Sequence, residues 1–389
     1  MTQYVPLLGQ AVRHEWALDW DFLSVNHGSF GAAPRVVLAA QRDWQRRLEA
    51  QPGRFMRAVL PDALRHAADR LGMFIGADGK DVAFVDNATT GCNAVLRSLR
   101  LAPDDEIMVL SHGYGAVRNT VRYLCERASA RMVEAEVPFP HPNADAIVAN
   151  IAAALTPRTR LAVVDHITSG SALVLPLRRI VEACHAAGVP VLVDGAHGPA
   201  QVPLELRVLG ADWYAGNCHK WLCAPKGSAF LYARPDRQDD LHPATISHGL
   251  GKGYLEEFDW TGTRDPSAWL ATHVAIDFHA RLGGETLMAR NIALAADATS
   301  LLARRLNTEP GATGAMAGCM GVVRLPLAGA ATTERSADLR ARLLAAGTDA
   351  PTHVQAGAIW LRLSAAAYND IEDFERLAEI VARVLREAG

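Results

Sequence analysis

From Asp81 onward the apolar positions follow two alternating rhythms. Short unbroken apolar runs recur in DVAFVDN (81–87), EIMVLS (106–111), RMVEAEVP (131–138), RLAVVDH (160–166), PVLVDGA (190–196), DWYAGN (212–217) and SAFLYARP (228–235). Between the first five lie TTGCNAVLRSLR, GAVRNTVRYLCERA, DAIVANIAAALT and LRRIVEACHAAG, with apolar residues every three or four positions. A run without polar alternation fits a strand covered on both faces; the longer period fits a helix with one dry face. Strand and helix in turn predict an α/β fold with a doubly wound, mixed but mostly parallel sheet. Ligands of such sheets sit at the carboxyl ends of the strands, so the residues just after each run are the candidates for chemistry.

After about residue 265 the rhythm changes. Two long helical stretches (266–284 and 286–307) lead to strands GVVRLPL (321–327) and AIWLRLS (358–364) and a last helix over 371–388. This pattern predicts a smaller α+β domain. The expected organisation is an N-terminal arm over 1–25, a large domain over 26–264 and a small domain over 265–389. GATGAMAG (311–318) reads as a flexible loop.

Composition adds exclusions. The chain has 389 residues, of which 50% are hydrophobic. That supports one large core and a smaller one. The formal net charge is −3, with no run of like charge, so neither nucleic acid nor an anionic membrane surface is an expected partner. No stretch reaches the roughly 20 apolar residues of a membrane span. MTQYVPLLGQAVRHEW lacks the basic start and apolar run of a signal peptide. The six cysteines are scattered and read as reduced thiols of a cytoplasmic protein. Cys218 and Cys223 have no second pair to complete a zinc site, and no metal is expected.

Four strand ends carry candidate chemistry. NATTGCN (87–93) places small and hydroxyl residues where a helix begins, which suits either an anion or a plain helix cap. SHGYGAV (111–117) puts His112 and Tyr114 in a glycine-rich turn, as a ring-stacking platform or as ordinary turn residues. VDGAH (193–197) ends an apolar strand with Asp194, a carboxylate that needs either a cation or a helix N-terminus to cap. GNCHKWLCAPKG (216–227) holds Lys220, 26 residues after Asp194. A poorly solvated lysine has a lowered pKa and becomes a nucleophile toward carbonyls, although most lysines are simply solvated. Together the four describe a site for pyridoxal 5′-phosphate (PLP): an anion cradle, a stacking ring, a carboxylate for a ring nitrogen and an amine for an aldehyde.

The wording of these segments resembles the class V aminotransferase-type PLP enzymes of fold type I, and among them isopenicillin N epimerase and its relatives. The resemblance spans nearly the whole chain through VNHGSFG (25–31), VDNATTG (85–91), HGYGA (112–116), VVDHITSGSALVLP (163–176), VDGAHGPAQ (193–201), ADWYAGNCHKWLCAPKG (211–227), WTGTRDP (260–266) and LRLSAAAYND (361–370). It implies that Lys220 holds the cofactor aldehyde as an imine and moves the Cα proton. Asp194 would pair with the pyridine nitrogen, and His197 would support the phenolic oxygen. Ala88, Thr89, Thr90, Tyr214 and His219 would hold the phosphate. Tyr114 or His112 would stack on the ring, with Asp165 at its edge. Thr263 would reach the phosphate of a neighbouring subunit in a homodimer. Arg362 would grip the substrate carboxylate, with Asn26 and His27 at the substrate end.

Cα deprotonation of an amino acid is then the common first step. The second step is epimerisation, as the resemblance implies, or β-elimination by a C–S lyase or cysteine desulfhydrase-type enzyme, with transamination as a further alternative. A desulfurase needs a mobile cysteine shortly before Arg362, and none occurs after Met320. A regulator that binds PLP without turnover would not need Arg362 or the Asp194–Lys220 pair.

Overall fold

The computed structural model describes residues 8–388. Seven strands form the main sheet: β1 (Val82–Val85), β2 (Glu106–Leu110), β3 (Arg131–Ala135), β4 (Thr159–Asp165), β5 (Val191–Gly195), β6 (Trp213–Asn217) and β7 (Ala229–Ala233). Their order is β1-β7-β6-β5-β4-β2-β3. Only β7 runs against its neighbours; the pairs from β6 across to β3 are all parallel. This is the mixed, mostly parallel α/β sheet that the apolar runs predict.

Both faces are covered, as unbroken apolar strands require. Along β2, Met108 and Leu110 enter one core while Ile107 and Val109 enter the other. Helices α1 (Arg35–Ala50), α2 (Leu60–Ile75), α5 (Ala144–Ala154), α6 (Leu177–Ala186) and α7 (Thr272–Arg281) bury residues in the first core. Helices α3 (Ala88–Ser98) and α4 (Gly115–Ala128) line the second.

A second sheet has the order β8-β10-β9, from β8 (Met320–Arg324), β9 (Thr352–Gln355) and β10 (Ala358–Ser364). Helices α8 (Glu285–Arg305), α9 (Thr333–Ala345) and α10 (Ile371–Ala388) pack against it around Leu302, Leu343 and Phe374. Leu23 and Val25 enter this same core, so the end of the expected N-terminal arm is threaded into the small sheet. The apolar pattern does not announce β9, a four-residue strand with two partly polar faces. The stretch 311–318 is tied down rather than loose: Met316 is buried, and its carbonyl accepts from the Val174 N–H at 2.9 Å. All six cysteines are free.

The apolar packing beneath the strand ends is tight. Tyr214 of β6 is fully buried, with its ring stacked on Phe230 at 6.0 Å. A Cβ on Gly195 would lie 2.0 Å from the Tyr214 ring, and one on Gly198 2.0 Å from its hydroxyl. Gly195→Ala therefore overpacks a core and is expected to lower stability by about 1–3 kcal/mol. Gly53, whose added Cβ meets nothing within 4 Å, is the control, and Gly53→Ala should be neutral or slightly stabilising. Urea unfolding of the two variants checks this; equal midpoints would show that the Tyr214 contact imposes no such constraint.

Candidate active site

A cleft of about 810 Å³ opens at the carboxyl ends of β4, β5 and β6 and the start of α3. Lys220, Asp194, His197, Asp165, His219, Tyr114 and the residues of α3's first turn line it. Stretches scattered over the sequence thus converge where the sheet topology places a ligand.

Lys220 Nζ lies 3.1 Å from His197 Nε2. The Trp221 indole N–H, which can only donate, points at His197 Nδ1 from 3.4 Å. With Nδ1 accepting, the proton of a neutral His197 sits on Nε2, facing the Lys220 amine. Burial favours both uncharged forms: it pushes Lys220 down to about 8 and lowers His197 well below the usual histidine range. The Asp194 charge acts on Lys220 in the opposite sense, and Arg362 reinforces the lowering.

Asp194 and Asp165 stand level with each other on the parallel strands β5 and β4. Both are 4% exposed. Loss of hydration raises both carboxyls above their ordinary range, and the charge of Asp194 raises Asp165 further. Asp194 accepts one backbone bond, from the Ala196 N–H at 3.1 Å. Two buried acids side by side leave the cleft short of a cation on this wall.

The anion end is built differently from the sequence expectation. Asn87 caps α3 by accepting from the Thr90 N–H at 2.8 Å and from its hydroxyl at 3.2 Å. The Ala88 N–H is taken by Asn217 Oδ1 at 2.8 Å. Of the first three N–H groups of α3, Thr89's is the one without a partner among the described residues, and Thr89 itself lines the cleft. His219, expected at the phosphate, lines the cleft, with Nδ1 bound to the Ser228 carbonyl at 2.9 Å. Tyr214 does not line it. Strand alternation turns Tyr214 to the other face of β6 from Trp213 and Ala215, where its hydroxyl meets His166 Nδ1 at 2.9 Å.

Of the two aromatic candidates, Tyr114 borders the cleft and is 43% exposed. His112 is turned away, between Ser171 Oγ at 2.7 Å and Gln355 Nε2 at 2.5 Å. Thr263 is exposed and borders a separate pocket of about 360 Å³, which shares Asp86 and Thr90 with the main cleft. Arg264 beside it pairs with Asp86.

Arg362 of β10 is 2% exposed. Its Nη1 donates to the Ser169 carbonyl at 2.6 Å and its Nη2 to Ser29 Oγ at 2.7 Å. Ser29 and Ser169 both line the cleft, which places the guanidinium just behind its wall. Asn26 Oδ1 accepts from Nη2 at 3.0 Å. His27 sits under the lysine loop instead of in the cleft: its Nε2 donates to the Lys220 carbonyl at 3.0 Å, and its Nδ1 accepts from the Tyr368 hydroxyl at 3.0 Å. Sequence reasoning missed Ser29, Ser169 and Asn217. All three lie within the quoted motifs, but single hydroxyls and amides carry no spacing signal of their own.

The residues present fit PLP. The wall of two acids lacks a cation, the poorly solvated amine of Lys220 faces the cleft, and the helix N-terminus keeps one N–H and a hydroxyl for an anion. Among the described residues there is no cluster of metal-ligating side chains, and no helix is long and apolar enough to cross a membrane.

Comparison with known proteins agrees with this geometry. Residues 31–377 match the family model described as "Aminotransferase class-V". A putative L-cysteine desulfhydrase 1 of Oryza sativa subsp. japonica is 35% identical, over 93% of this chain and 83% of that protein. The isopenicillin N epimerase of Streptomyces clavuligerus is 33% identical, over 95% of this chain and 96% of that protein. The structure of the cystine C–S lyase C-DES in complex with its product cysteine persulfide superposes with a TM-score of 0.78 at 23% identity, covering 94% of this chain and 97% of that one, which is a likeness of fold. The chain belongs to the class V aminotransferase family and is a PLP-dependent enzyme of fold type I.

Proposed function

We propose that the enzyme is a C–S lyase that eliminates the β-sulfur of a cysteine-type α-amino acid. The observation that carries this reading is the strength of the bases around the cleft. Lys220 is held near neutrality, at about 8, whereas His219 is pushed to about 4 and His197 well below its ordinary value. Of these three, Lys220 is the base suited to taking a Cα proton near pH 8. β-Elimination needs no more than that, because a thiol with a pKa of about 8.5 leaves readily as its anion. Cysteine and water would give pyruvate, ammonia and sulfide. The relatives named as L-cysteine desulfhydrases support the same choice.

Lys220, Asp194 and the α3 N-terminus with Thr89 would hold PLP, whose conjugated ring, when bound, acidifies the substrate Cα–H. Asp194 would pair with the ring nitrogen. Tyr114 covers the open side. Arg362 receives the substrate carboxylate through the Ser29 and Ser169 wall and so orients Cα toward Lys220. His197 would hold the Lys220 amine in place through its 3.1 Å contact.

Epimerisation is the second reading, favoured by Tyr114, a phenol on the cleft that would serve as the second acid an epimerase needs. A panel of S-substituted cysteines and of L- and D-amino acids in deuterated water separates the two. Rapid pyruvate and sulfide from L-cysteine are expected. Cα exchange with inversion and no pyruvate would replace the lyase by an epimerase.

The acid–base reading has its own check. In the apoprotein, labelling of Lys220 by an amine reagent should rise with pH through a midpoint near 8, because only the free amine reacts. Asp194→Asn removes the charge that favours the ammonium form, so the midpoint should fall. Peptide mass spectrometry locates the label, and a midpoint above about 10 would show Lys220 to be ordinarily solvated.

We also propose a homodimer, with Thr263 of one subunit reaching the phosphate of the next. Its exposure, next to a pocket that shares Asp86 and Thr90 with the main cleft, supports this. Light scattering should give twice the chain mass, and Thr263→Val should weaken cofactor retention by about 1–3 kcal/mol. A fully active monomer would rule out the shared site.

A further inference from the structure

Arg362 is a buried cation whose described hydrogen-bond partners are all neutral. Its four contacts are the Ser169 carbonyl at 2.6 Å, Ser169 Oγ at 3.2 Å, Ser29 Oγ at 2.7 Å and Asn26 Oδ1 at 3.0 Å. Its Nε is buried without a partner. The carboxylate nearest in the chain of contacts is Asp349, and it is held off by one residue. Asn26 Nδ2 donates to Asp349 Oδ2 at 2.6 Å, and Arg340 binds both Asp349 oxygens, at 2.9 and 3.1 Å. The chain of groups is therefore Arg362, amide, carboxylate, Arg340.

A carboxylate is the natural partner for a buried guanidinium, since the planar fork and the two oxygens match and each offsets the other's lost hydration. Here an amide occupies the place an acid would take. It satisfies one N–H of Arg362 without neutralising it, and spends its own N–H on the acid behind. Arg340 neutralises that acid from the far side. His353 lies near enough to lower Arg362 further if charged, but burial pushes it to about 4 and keeps it neutral.

We propose that Asn26 is a neutral spacer that withholds Asp349 from Arg362, keeping the arginine's charge free for the substrate carboxylate and so selecting amino acids over simple amines. Asn26 is in this sense a positioning and specificity residue acting through Arg362. The proposal rests on the reading of Arg362 as the carboxylate grip but not on which reaction the enzyme then performs. It predicts that moving the acid one step inward, with the total charge unchanged, abolishes the preference for carboxylates.

The test uses the holoenzyme and two ligands that differ by one carboxylate, glycine and methylamine, titrated by the change in cofactor absorbance. The double variant Asn26→Asp with Asp349→Asn performs the swap; Asp349→Asn alone controls for the loss of the Arg340 pair. The swap should weaken glycine by about 10- to 100-fold relative to Asp349→Asn, the weight of one charge-assisted contact. Methylamine should change by less than about threefold, within the ordinary effect of a neighbouring substitution. Equal glycine affinity in the two variants overturns the proposal. If the wild-type enzyme itself does not prefer glycine, Arg362 is not the grip, and the earlier reading fails with it.

Asn26→Asp alone gives a second measure should the double variant fold poorly. The new carboxyl would then stand between the Arg362 guanidinium and Asp349. At low pH position 26 stays neutral and glycine binds as in wild type. As pH rises and the proton leaves, Arg362 gains a permanent partner and glycine affinity should fall. A wild-type pH profile in this variant would count against the spacer.

Discussion

Everything at the strand ends depends on keeping Lys220 short of water while leaving it near only one carboxylate wall. A solvated lysine would remain charged and inert near neutral pH. The surroundings therefore act on its position as much as on its charge. His27 holds the loop by the Lys220 carbonyl, Trp221 sets the proton on His197, and Gly31 lets the 27–31 segment press against the loop from outside. A Cβ at Gly31, whose φ is +69°, would lie 2.0 Å from the His219 carbonyl oxygen. The NHGSFG segment is thus a brace for the lysine as well as a neighbour of the substrate end.

The two ends of the cleft solve opposite electrostatic problems. On the β4–β5 wall two acids are buried together, and the shortage is of positive charge. Behind the Ser29 and Ser169 wall a guanidinium is buried among neutral acceptors, and the shortage is of negative charge. Each wall is uncomfortable alone. A ligand that carries a basic ring nitrogen at one end and a carboxylate at the other relieves both, which is how unbound strain becomes selectivity in binding.

Much of this is legible in the sequence because it follows from periodicity. The apolar runs mark β1 to β7, and the sheet rule points to Asp165, Asp194 and Lys220 as residues just past or at strand ends. What periodicity does not carry is the direction of an individual side chain within a turn. His112 and Tyr114 are two residues apart in one glycine-rich loop, yet one faces Ser171 and the other the cleft. Motif wording places Tyr214 at the phosphate, whereas the pleat of β6 sends it to the opposite face. The helices over 35–50 and 60–75 go unread, since both lie ahead of the strand–helix alternation; the first has a single fully buried residue, Val37. Resemblance places Arg362, but its set of neutral partners comes from positions 26, 29 and 169, which no local pattern connects.

That last dispersion has a consequence for how the enzyme comes into being. Apart from Ser29 and Phe30, the residues lining the cleft lie between 86 and 227. Arg362 meets its partners only when β10 pairs with β8 and the segment around Asn26 is fixed against it by the Ser364 N–H, which donates to the Val25 carbonyl at 2.8 Å. On a ribosome that adds roughly 5–20 residues per second, the first set emerges on the order of ten seconds before the second. A growing chain can therefore gather the walls around Asp194 and Lys220 before Arg362 is in place behind Ser29 and Ser169. The two sides of the cleft are thus completed at different times, the second only when the last strand closes the small sheet.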